Sequence, residues 1–297
     1  MSAVTRPAYA KINAFLRVLG RREDGYHEIQ TVILPLELHD VITVEPAERL
    51  EVVVRGERAG DLRRAGGDSL VAHAAHAWAA AAGVGAPRAR ITVDKRIPVA
   101  AGLGGGSADA AAAITALEEL HGAGLGRQAL VEVAASVGSD VPALLAAEPI
   151  FADGRGERVI PIHAIATRWV VRPFGFGVAA ADAYAWWDAA PATGPDPGAV
   201  VASLETGNAD LLGSALFDDL QPGVVARHPE IARAVSSFLE AGALGAVMTG
   251  SGPTVVALAR HAMHAEELCS AVPGSFATGC PPRTPPPRTM GQPSGVV

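Results

Sequence analysis

Short apolar runs rich in β-branched residues fill the first third of the chain, and this pattern predicts strands. The pattern around Pro35 alternates only weakly between apolar and polar positions. Five segments are predicted to be extended, at 8–19, 29–38, 41–44, 50–54 and 89–93. The N-terminal part of the chain is therefore expected to be rich in strands.

Helical patterns then appear and mix with further strands. Helices are predicted at 69–82, from near Ser107 through the helix-forming run 110–120, and at 126–136, 199–205 and 230–240. Strands are predicted at 169–173 and 177–180, a loop at 191–197, and a strand, tight turn and strand over 245–257. Because these elements do not alternate as regular βαβ units, the expected fold class is α+β rather than a doubly wound sheet.

Two breaks in the pattern indicate how the chain is divided. Gly154 and Gly156 interrupt the segment between residues 153 and 165, which predicts a domain boundary there. The chain is rich in proline from residue 281 onward, which predicts disorder. The expected units are an N-terminal domain over 1–157, a C-terminal domain over 158–272 and a proline-rich tail over 273–297.

The composition narrows the classes of function. The chain has 297 residues, 49% of them hydrophobic, which is enough for one large or two medium domains. Its net charge of −7 argues against a nucleic-acid partner, because gripping that backbone needs a basic surface. Cys269 and Cys280 have neither metal-site spacing nor the pattern of a disulfide framework, so a reducing compartment, the cytoplasm, is expected.

Neither a membrane segment nor a metal site is expected. The N-terminal apolar stretch is short and contains Lys11 and Arg17, unlike a signal peptide. His73 and His76 lie in an alanine-rich stretch that is expected to be a partly exposed helix rather than a metal site or a span.

The densest chemical signal is a cluster of glycines before a predicted helix. Four of the five residues from Gly102 to Gly106 are glycine. Each costs about 0.5–1 kcal/mol relative to alanine in a folded element, so such a cluster persists where the backbone needs positive φ or a close approach. Ser107 suits the N-cap or first turn of the helix, and Asp109 suits the first turn. The free amides and positive dipole end of such a helix predict a phosphate site.

This loop differs from the two commonest nucleotide-binding motifs. Gly106 is followed by Ser107 without the lysine of a Walker A loop. Counting from Gly102 and Gly104, Ser107 also stands where the Rossmann motif has its third glycine. The phosphate site is therefore predicted without either of those folds.

Four other short segments carry candidate chemistry, each with an ordinary structural alternative. Lys11 and Asn13 lie among apolar residues, where the ammonium group needs water, a carboxylate or a bound anion, unless the lysine simply lies at the surface. Tyr26 and His27 follow Gly25 in a turn and can stack on and hydrogen-bond a flat ligand, or can complete a surface turn.

The other two segments lie later in the chain. Asp140 can cap the helix started by Pro142 or accept a hydroxyl proton. The glycine turn over 249–254 is either a simple hairpin or a backbone that approaches a ligand or the first glycine loop.

In their order along the chain, these segments together resemble the GHMP kinase superfamily. The matching stretches are AKINAFLRVLGRREDGYHEIQTV at 10–32, IPVAAGLGGGSADAAAA at 97–113, GSDVPALL at 138–145, FADGRGE at 151–157 and MTGSGPTVVAL at 248–258. The glycine loop is typical of the superfamily, and AKIN with GRREDGYHE is typical of its cytidyl-erythritol kinases. The resemblance implies a two-domain GHMP kinase fold of the α+β class. Its N-terminal domain would resemble domain 2 of ribosomal protein S5, and its C-terminal domain would be a ferredoxin-like α/β sandwich.

The resemblance also implies roles for individual residues. Lys11 and Asp140 match the catalytic pair: Asp140 would take the proton of the attacking hydroxyl, and Lys11 would hold that carboxylate ionised and orient the alcohol. Asn13 matches a substrate-binding amide, Tyr26 a ring that stacks on cytosine, and His27 an imidazole that reads the edge of the base.

Tyr184 is expected to form a second aromatic wall, although this chain has alanines at 179–181 where the family often has hydroxyl residues. The stretch at 143–148 also departs from the family, which usually has a phenylalanine and paired glycines there.

The implied reaction is ATP-dependent phosphorylation of the 2-hydroxyl of a 4-diphosphocytidyl-2-C-methyl-D-erythritol substrate in non-mevalonate isoprenoid biosynthesis. The expected cofactors are ATP and Mg²⁺, with the metal held by phosphates and water and no protein ligand assigned. The expected partner is this small molecule, with neither nucleic acid nor membrane, and the sequence assigns no oligomeric state. The phosphates are expected on the loop residues Pro98, Val99, Ala100, Ala101, Gly102, Leu103, Gly104, Gly105, Gly106, Ser107 and Ala108.

Two alternatives stay open. One is another GHMP kinase, of the homoserine or mevalonate type, for which the Tyr26–His27 pair would have little purpose. The other is a catalytically inactive nucleotide-binding sensor, against which the presence of both Lys11 and Asp140 argues.

Overall fold

A computed structural model describes residues 3–64 and 69–281 of the chain. Helices in this part of the chain all fall short of the length and apolar character that crossing a lipid bilayer requires. The strands are β1 (Val4–Arg21), β2 (His27–Pro46), β3 (Glu51–Arg55), β4 (Ala89–Asp94), β5 (Ile150–Gly154), β6 (Arg158–Pro161), β7 (Thr167–Arg172), β8 (Phe217–Asp218), β9 (Gly245–Met248), β10 (Val255–Ala259) and β11 (Phe276–Cys280). The helices are α1 (Ala59–Arg64), α2 (Ser69–Ala81), α3 (Gly105–His121), α4 (Arg127–Val137), α5 (Val141–Leu144), α6 (Ala180–Asp188), α7 (Gly198–Thr206), α8 (Ala209–Ala215), α9 (Gln221–Val225), α10 (Pro229–Glu240) and α11 (Ala262–Ala271).

The first sheet has seven strands and is built around the long antiparallel pair of β1 and β2. Its order is β3-β4-β2-β1-β8, and β5 and β6 extend it from β2. The predicted break between 29–38 and 41–44 is wrong, because β2 is continuous from His27 to Pro46. Pro35 lies opposite Lys11, next to a register shift, and between the parts of β2 that pair with β5 and with β4. Its missing N–H group therefore interrupts neither of those pairings.

Helices α2, α3 and α4 cover one face of this sheet. Most buried residues of α3 are alanines, and they pack in one cluster with Trp78 of α2 and with Ile42 and Val93 of the sheet. Small side chains let α3 approach the sheet closely. The same packing fixes the start of α3, where the glycine loop joins it.

The second sheet has four antiparallel strands in the order β11-β7-β10-β9. With α10 before β9 and α11 before β11, the connection is βαββαβ, the ferredoxin-like motif. Phe238 of α10 and Leu268 of α11 pack on Val170 and Ala257 of the sheet. The predicted α+β class with a ferredoxin-like C-terminal unit is confirmed.

The two sheets share a core, so they hold each other in place. Ile12 and Leu34 from the first sheet pack in one buried cluster with Trp169 and Val256 from the second. In addition, β8 pairs in parallel with β1 at Leu16, so a late part of the chain completes the first sheet.

Several predicted elements match the structure closely. The helices predicted at 69–82, 126–136, 199–205 and 230–240 correspond to α2, α4, α7 and α10 within one residue at each end. Helix α3 begins at Gly105 with Gly104 at the N-cap position, so Ser107 lies in the first turn, one of its two predicted places, and Asp109 lies just after that turn.

Other predictions are wrong. The strand predicted at 177–180 is absent from this part of the chain, and α6 begins at Ala180 instead, because alanine-rich segments suit a helix as well. The predicted tail includes residues 276–280, but these form β11, whose pairing with β7 is not visible in the local composition. The rest of that tail, from residue 282, lies outside the described residues. The boundary predicted at 157–158 falls between the paired strands β5 and β6, and the first sheet continues to Pro161.

The glycine loop needs backbone conformations that suit glycine. At Gly102 and Gly104 the φ angles are +75° and +69°, and even Ala100 has φ of +57°. A Cβ atom on Gly102 would lie 2.6 Å from the carbonyl oxygen of Gly252 in the second glycine turn. The hydroxyl of Thr254 donates a hydrogen bond of 2.5 Å to the carbonyl oxygen of Ala101. The two glycine turns therefore pack directly against each other.

A buried charge cluster ties the two ends of this loop to β2. Lys95 Nζ lies 2.7 Å from Asp40 Oδ2 and 2.5 Å from Asp109 Oδ2, and all three side chains are buried. Asp40 Oδ1 also accepts hydrogen bonds from the amides of Arg96 and Ile97, just before the loop. Burial alone would lower the pKa of Lys95, but the carboxylates of Asp109 and Asp40 outweigh burial and raise it.

We expect Lys95→Met to lower the free energy of unfolding by about 3–5 kcal/mol, because it leaves two buried carboxylates without their cation. Urea denaturation at pH 7 measures this. The stabilisation is complete at neutral pH, since a raised pKa means that it is lost only as the pH rises through that pKa. The control is Arg96→Met at the exposed neighbouring position, with an expected change of about 0.5 kcal/mol or less. Equal losses for the two variants would contradict the account.

The second stability prediction separates backbone strain from a steric clash. Gly122, at the far end of α3, has φ of +61° and open space where a Cβ atom would lie, whereas Gly102 has positive φ and a backbone oxygen in the way. Alanine at either position costs about 1–2 kcal/mol for the left-handed conformation. We expect Gly102→Ala to cost about 1–3 kcal/mol more than Gly122→Ala because of overpacking. Denaturant titrations of both variants measure the difference. Identical unfolding midpoints would show that Gly102 is not in tight steric contact with the second glycine turn.

Candidate active site

A cavity of about 480 Å³ opens between the β1–β2 turn, α6 and the second glycine turn. The six residues that the sequence singled out as catalytic or substrate-binding candidates all line it, namely Lys11, Asn13, Tyr26, His27, Asp140 and Tyr184. They come from separate parts of the chain, so the fold alone brings them together.

Lys11 lies inside the protein and not at its surface. Its side chain is 8% exposed, and its Nζ donates a hydrogen bond of 2.8 Å to Asn13 Oδ1. Asn13 in turn donates to Thr31 Oγ1 at 2.7 Å, and the Thr31 hydroxyl donates to the carbonyl oxygen of Phe15. This chain of bonds fixes the orientation of the Asn13 amide and points its oxygen at the ammonium group.

Asp140 is the carboxylate that faces Lys11. Its Oδ2 lies 3.8 Å from Lys11 Nζ, and its side chain is 49% exposed to the cavity and solvent. It occupies the N-cap position of the four-residue helix α5, but it accepts no capping hydrogen bond there. The alternative of a helix cap is therefore wrong, and the carboxylate stays available to another donor.

The glycine loop reaches the same lysine. The amide of Lys11 donates to the carbonyl oxygen of Leu103 at 2.9 Å. A Cβ atom on Gly104 would lie 2.8 Å from Lys11 Cγ, so only glycine fits beside the lysine stem. Helix α3 starts directly after Gly104, and its first helical hydrogen bond is donated by the Ala108 amide to Gly104 O. The amides of the first turn before Ala108 point out of the helix toward any bound anion.

The second glycine turn, over residues 249–254, packs against both Asn13 and Lys11. Thr249 Oγ1 accepts a hydrogen bond of 2.6 Å from the amide of Asn13. A Cβ atom on Gly250 would lie 2.9 Å from Asn13 Oδ1 and 3.4 Å from Lys11 Nζ. Of the alternatives weighed for this turn, the approach to the first loop is confirmed.

The opposite end of the cavity is aromatic. Tyr26 is 54% exposed, and the Arg155 guanidinium lies 4.8 Å from the centre of its ring. His27 stacks on Tyr184 with ring centres 4.6 Å apart and planes 20° apart. Trp187 meets the His27 ring edge-on at 5.9 Å. Tyr184 thus forms a wall of the cavity, with one side of its ring covered by His27.

The alanines at the start of α6 leave part of this wall apolar. Ala179 occupies the N-cap position without a side-chain hydrogen bond, and Ala180 and Ala181 line the cavity. Ala143, from the second segment that departs from the family, lies in the lining near Asp140.

Sequence reasoning missed two buried acids behind the site. Asp218 is the last residue of β8, and Asp219 follows it. Only 4% of Asp218 and 6% of Asp219 is exposed. Asp219 Oδ2 accepts from the amide of Val18, and Asp218 Oδ1 accepts from the amide of Leu220. The signal that could have found them is a pair of adjacent acids inside an apolar stretch.

These acids shape the electrostatics of the cavity. Burial raises the pKa of Asp218, and Asp219 adds to the effect, while the Lys11 ammonium group opposes it. Burial also raises the pKa of the Tyr184 phenol, with the Asp218 and Asp140 carboxylates contributing, so its hydroxyl remains a donor at neutral pH.

Protein ligands for a metal are sparse here. Across residues 3–64 and 69–281, no three His, Cys, Asp or Glu side chains come together as a metal site. His73 and His76 are exposed on α2, as expected.

Comparisons with known proteins agree with this geometry. The family model "GHMP kinases N terminal domain" matches residues 69–148, which include the glycine loop and Asp140. The model "GHMP kinases C terminal" matches residues 200–278, which include the second glycine turn.

Curated relatives match most of the chain. A 4-diphosphocytidyl-2-C-methyl-D-erythritol kinase from Symbiobacterium thermophilum is 42% identical over 251 residues, which cover 84% of this chain and 88% of the relative. The enzyme of the same name from Salinispora tropica is 42% identical over 269 residues, covering 88% of this chain and 85% of the relative.

Solved structures show the same fold. A crystal structure of 4-(cytidine 5'-diphospho)-2C-methyl-D-erythritol kinase superposes with a TM-score of 0.77 at 32% identity, covering 93% of this chain and 98% of that one. Homoserine kinase from Cytophaga hutchinsonii, at 16% identity, superposes with a TM-score of 0.71 over 95% of each chain and shares the fold. The chain is an ATP-dependent small-molecule kinase that belongs to the GHMP kinases and, within them, to the family of the 4-diphosphocytidyl-2-C-methyl-D-erythritol kinases.

Proposed function

We propose that this kinase transfers the γ-phosphoryl group of ATP to the 2-hydroxyl of 4-diphosphocytidyl-2-C-methyl-D-erythritol, a step in non-mevalonate isoprenoid precursor biosynthesis. The observation that carries the proposal is a single cavity with two chemically different ends. One end holds the Lys11–Asp140 pair beside the glycine loop, and the other holds Tyr26, His27 and Tyr184. The relatives that match most of the chain carry this activity in their names.

The ATP phosphates bind the loop from Pro98 to Ala108. Positive φ at Gly102 and Gly104 turns the backbone around the phosphates, and the outward amides at the start of α3 donate to them. Phosphoryl transfer depends mostly on positioning and on charge stabilisation, so a backbone cradle can supply much of the rate.

Asp140 accepts the proton of the attacking hydroxyl. Its carboxylate is half-exposed to the cavity and makes no capping hydrogen bond, so it can accept one from an alcohol. Lys11 Nζ lies 3.8 Å from Asp140 Oδ2, so its ammonium group can orient an alcohol beside the carboxylate. Asn13 holds the Lys11 ammonium group and lines the cavity, which suits it to contact the substrate as well.

Mg²⁺ accompanies ATP and neutralises charge on its phosphates when bound. The Ser107 hydroxyl, half-buried in the first turn of α3, is an oxygen ligand of the kind that Mg²⁺ accepts, and phosphate and water oxygens would complete the set. Cys269 and Cys280 form no disulfide within the described residues, which fits a reducing compartment, and we place the enzyme in the cytoplasm.

The cytosine ring binds at the aromatic end. Tyr26 offers an exposed ring for stacking, and His27 offers an imidazole edge. A base held in the plane of His27 would lie within about 20° of the Tyr184 plane, since those two rings are nearly parallel. Homoserine or mevalonate would leave this end unused.

The direct test is to incubate the purified protein with ATP, Mg²⁺ and the cytidyl substrate, and to identify the product by ³¹P NMR. A new phosphomonoester on the 2-hydroxyl is expected, with homoserine and mevalonate unchanged in parallel reactions. Phosphorylation of either control alcohol, or of none of the three, would overturn the proposal.

For Asp140→Asn we expect kcat to fall by about 10²- to 10⁴-fold, because the general base is lost. The affinity for ATP should stay within about twofold, because the phosphates contact the loop and not this side chain. Steady-state kinetics and nucleotide titration measure the two effects. Glu132→Gln also replaces a carboxylate with an amide, at an exposed position on α4, and serves as the control. Turnover like that of the wild type would exclude Asp140 as the base.

For Tyr26→Ala we expect KM for the cytidyl substrate to rise roughly 5- to 150-fold, the effect of losing one base–aromatic stack. KM for ATP should change little, since ATP binds the glycine loop, whose residues 98–108 lie outside the lining of this cavity. Tyr26→Phe keeps the ring and should retain the wild-type values. A similar rise in both KM values, or a phenylalanine variant as weak as the alanine one, would argue against stacking.

A further inference from the structure

His27 makes a hydrogen bond that the proposed reaction does not need. Its Nε2 lies 2.8 Å from Oδ1 of Asp188, the last residue of α6. The imidazole side chain is only 9% exposed, and it is held against Tyr184 on one face and Trp187 at its edge. Three contacts from one helix therefore fix both the position and the rotation of this ring.

We propose that Asp188 is a positioning residue that holds the proton of neutral His27 on Nε2, so that Nδ1 is presented to the base as a hydrogen-bond acceptor and selects cytosine over uracil. The inference rests on the proposed function, because it concerns the base that the cavity reads. It goes beyond that function by assigning the choice of base to a residue that acts on the base through His27.

The hydrogen bond to Asp188 decides which nitrogen of the His27 ring carries the proton. A carboxylate can only accept hydrogen bonds, so the nitrogen that faces Asp188 must carry a proton. In a neutral imidazole the other nitrogen is then a bare acceptor, since the partner of one nitrogen sets the state of the other. Among the described residues, Nδ1 of His27 has no hydrogen-bond partner, and the residue lines the cavity.

The exocyclic group of the base decides which form of the His27 ring it can pair with. Cytosine carries an exocyclic amino group that donates, whereas uracil carries an acceptor oxygen at the same position. An acceptor at Nδ1 therefore pairs with cytosine and is left facing an acceptor on uracil. A ring with its proton on Nδ1 would have the opposite preference.

Asp188 lies at a position that is unfavourable for an acid. It ends α6, where the carbonyl groups give the helix its negative pole and a carboxylate is repelled. Arg21 offsets only part of this, since its Nη1 lies 3.8 Å from Asp188 Oδ2 and its side chain is 64% exposed. The short bond to His27 is thus the strongest favourable contact that the structure gives this carboxylate.

The kinetic test compares Asp188→Asn with the wild type on the cytidyl substrate and on its uridyl analogue. An amide can donate or accept, so it supports both forms of the ring. We expect kcat/KM for the cytidyl substrate to fall about 10- to 100-fold, mostly through a higher KM. The reason is that His27 Nδ1 no longer always presents an acceptor to the amino group of cytosine. The uridyl value should stay constant or rise, so the cytidyl-to-uridyl ratio shrinks by at least the same factor.

Two variants and one signature distinguish this role from a structural one. Asp182→Asn makes the same change in the first turn of α6, at an exposed position, and should leave the ratio unchanged. The ¹⁵N shifts of His27 in the wild type should report a proton on Nε2, and in Asp188→Asn a mixture of both forms. A parallel loss with both substrates, at an unchanged ratio, would overturn the proposal.

The outcomes also separate this inference from the proposed function. If the wild type phosphorylates neither the cytidyl nor the uridyl compound, the proposed function fails, and the ¹⁵N spectrum of the free protein still decides the state of the ring. A proton on Nδ1 in the wild type, alone or together with one on Nε2, would overturn the Asp188 inference even if the kinase reaction is as proposed.

Discussion

The site depends on keeping the ammonium group of Lys11 inside the protein. A buried charge is costly unless polar groups replace the water that it loses. Here Asn13 accepts one hydrogen bond from the ammonium group, and Asp140 supplies the opposite charge at 3.8 Å. The glycine loop packs on the stem of the lysine at Gly104, and the second turn approaches its tip at Gly250. One residue of β1 thus contacts each element that the proposed transfer step uses.

The second constraint is the close packing of the two glycine turns. They belong to different sheets, and they meet where Gly102 faces the backbone of Gly252 and where Thr254 bonds to Ala101. A Cβ atom at Gly102 would push the two turns apart. The shared core beneath the turns keeps this contact in place, so the phosphate loop is held by tertiary structure on one side and by the Lys95 cluster on the other.

The sequence predicted the parts of the site that are local in the chain. The glycine loop before α3, the lysine in an apolar strand and the Tyr26–His27 turn each carry a recognisable pattern, and the structure brings Lys11, Tyr26 and His27 to one cavity, with the loop packed against the lysine. What it could not predict depends on contacts across the chain. Asp188 meets His27 over 161 positions, and Asp219 meets Val18 over 201. Likewise Lys95 and Asp40 resemble ordinary surface charges until the fold buries them together. Strand β11 was missed for the same reason, since its only signal is its pairing with β7.

The central claim is that a backbone loop and one carboxylate meet at the transferring phosphoryl group. A crystal structure with a nonhydrolysable ATP analogue and the cytidyl substrate tests it most directly. The account predicts that the β- and γ-phosphates lie on the amides of residues 104–107, and that Asp140 is within hydrogen-bond distance of the acceptor hydroxyl. Phosphates bound elsewhere, or an acceptor hydroxyl out of reach of Asp140, would contradict it.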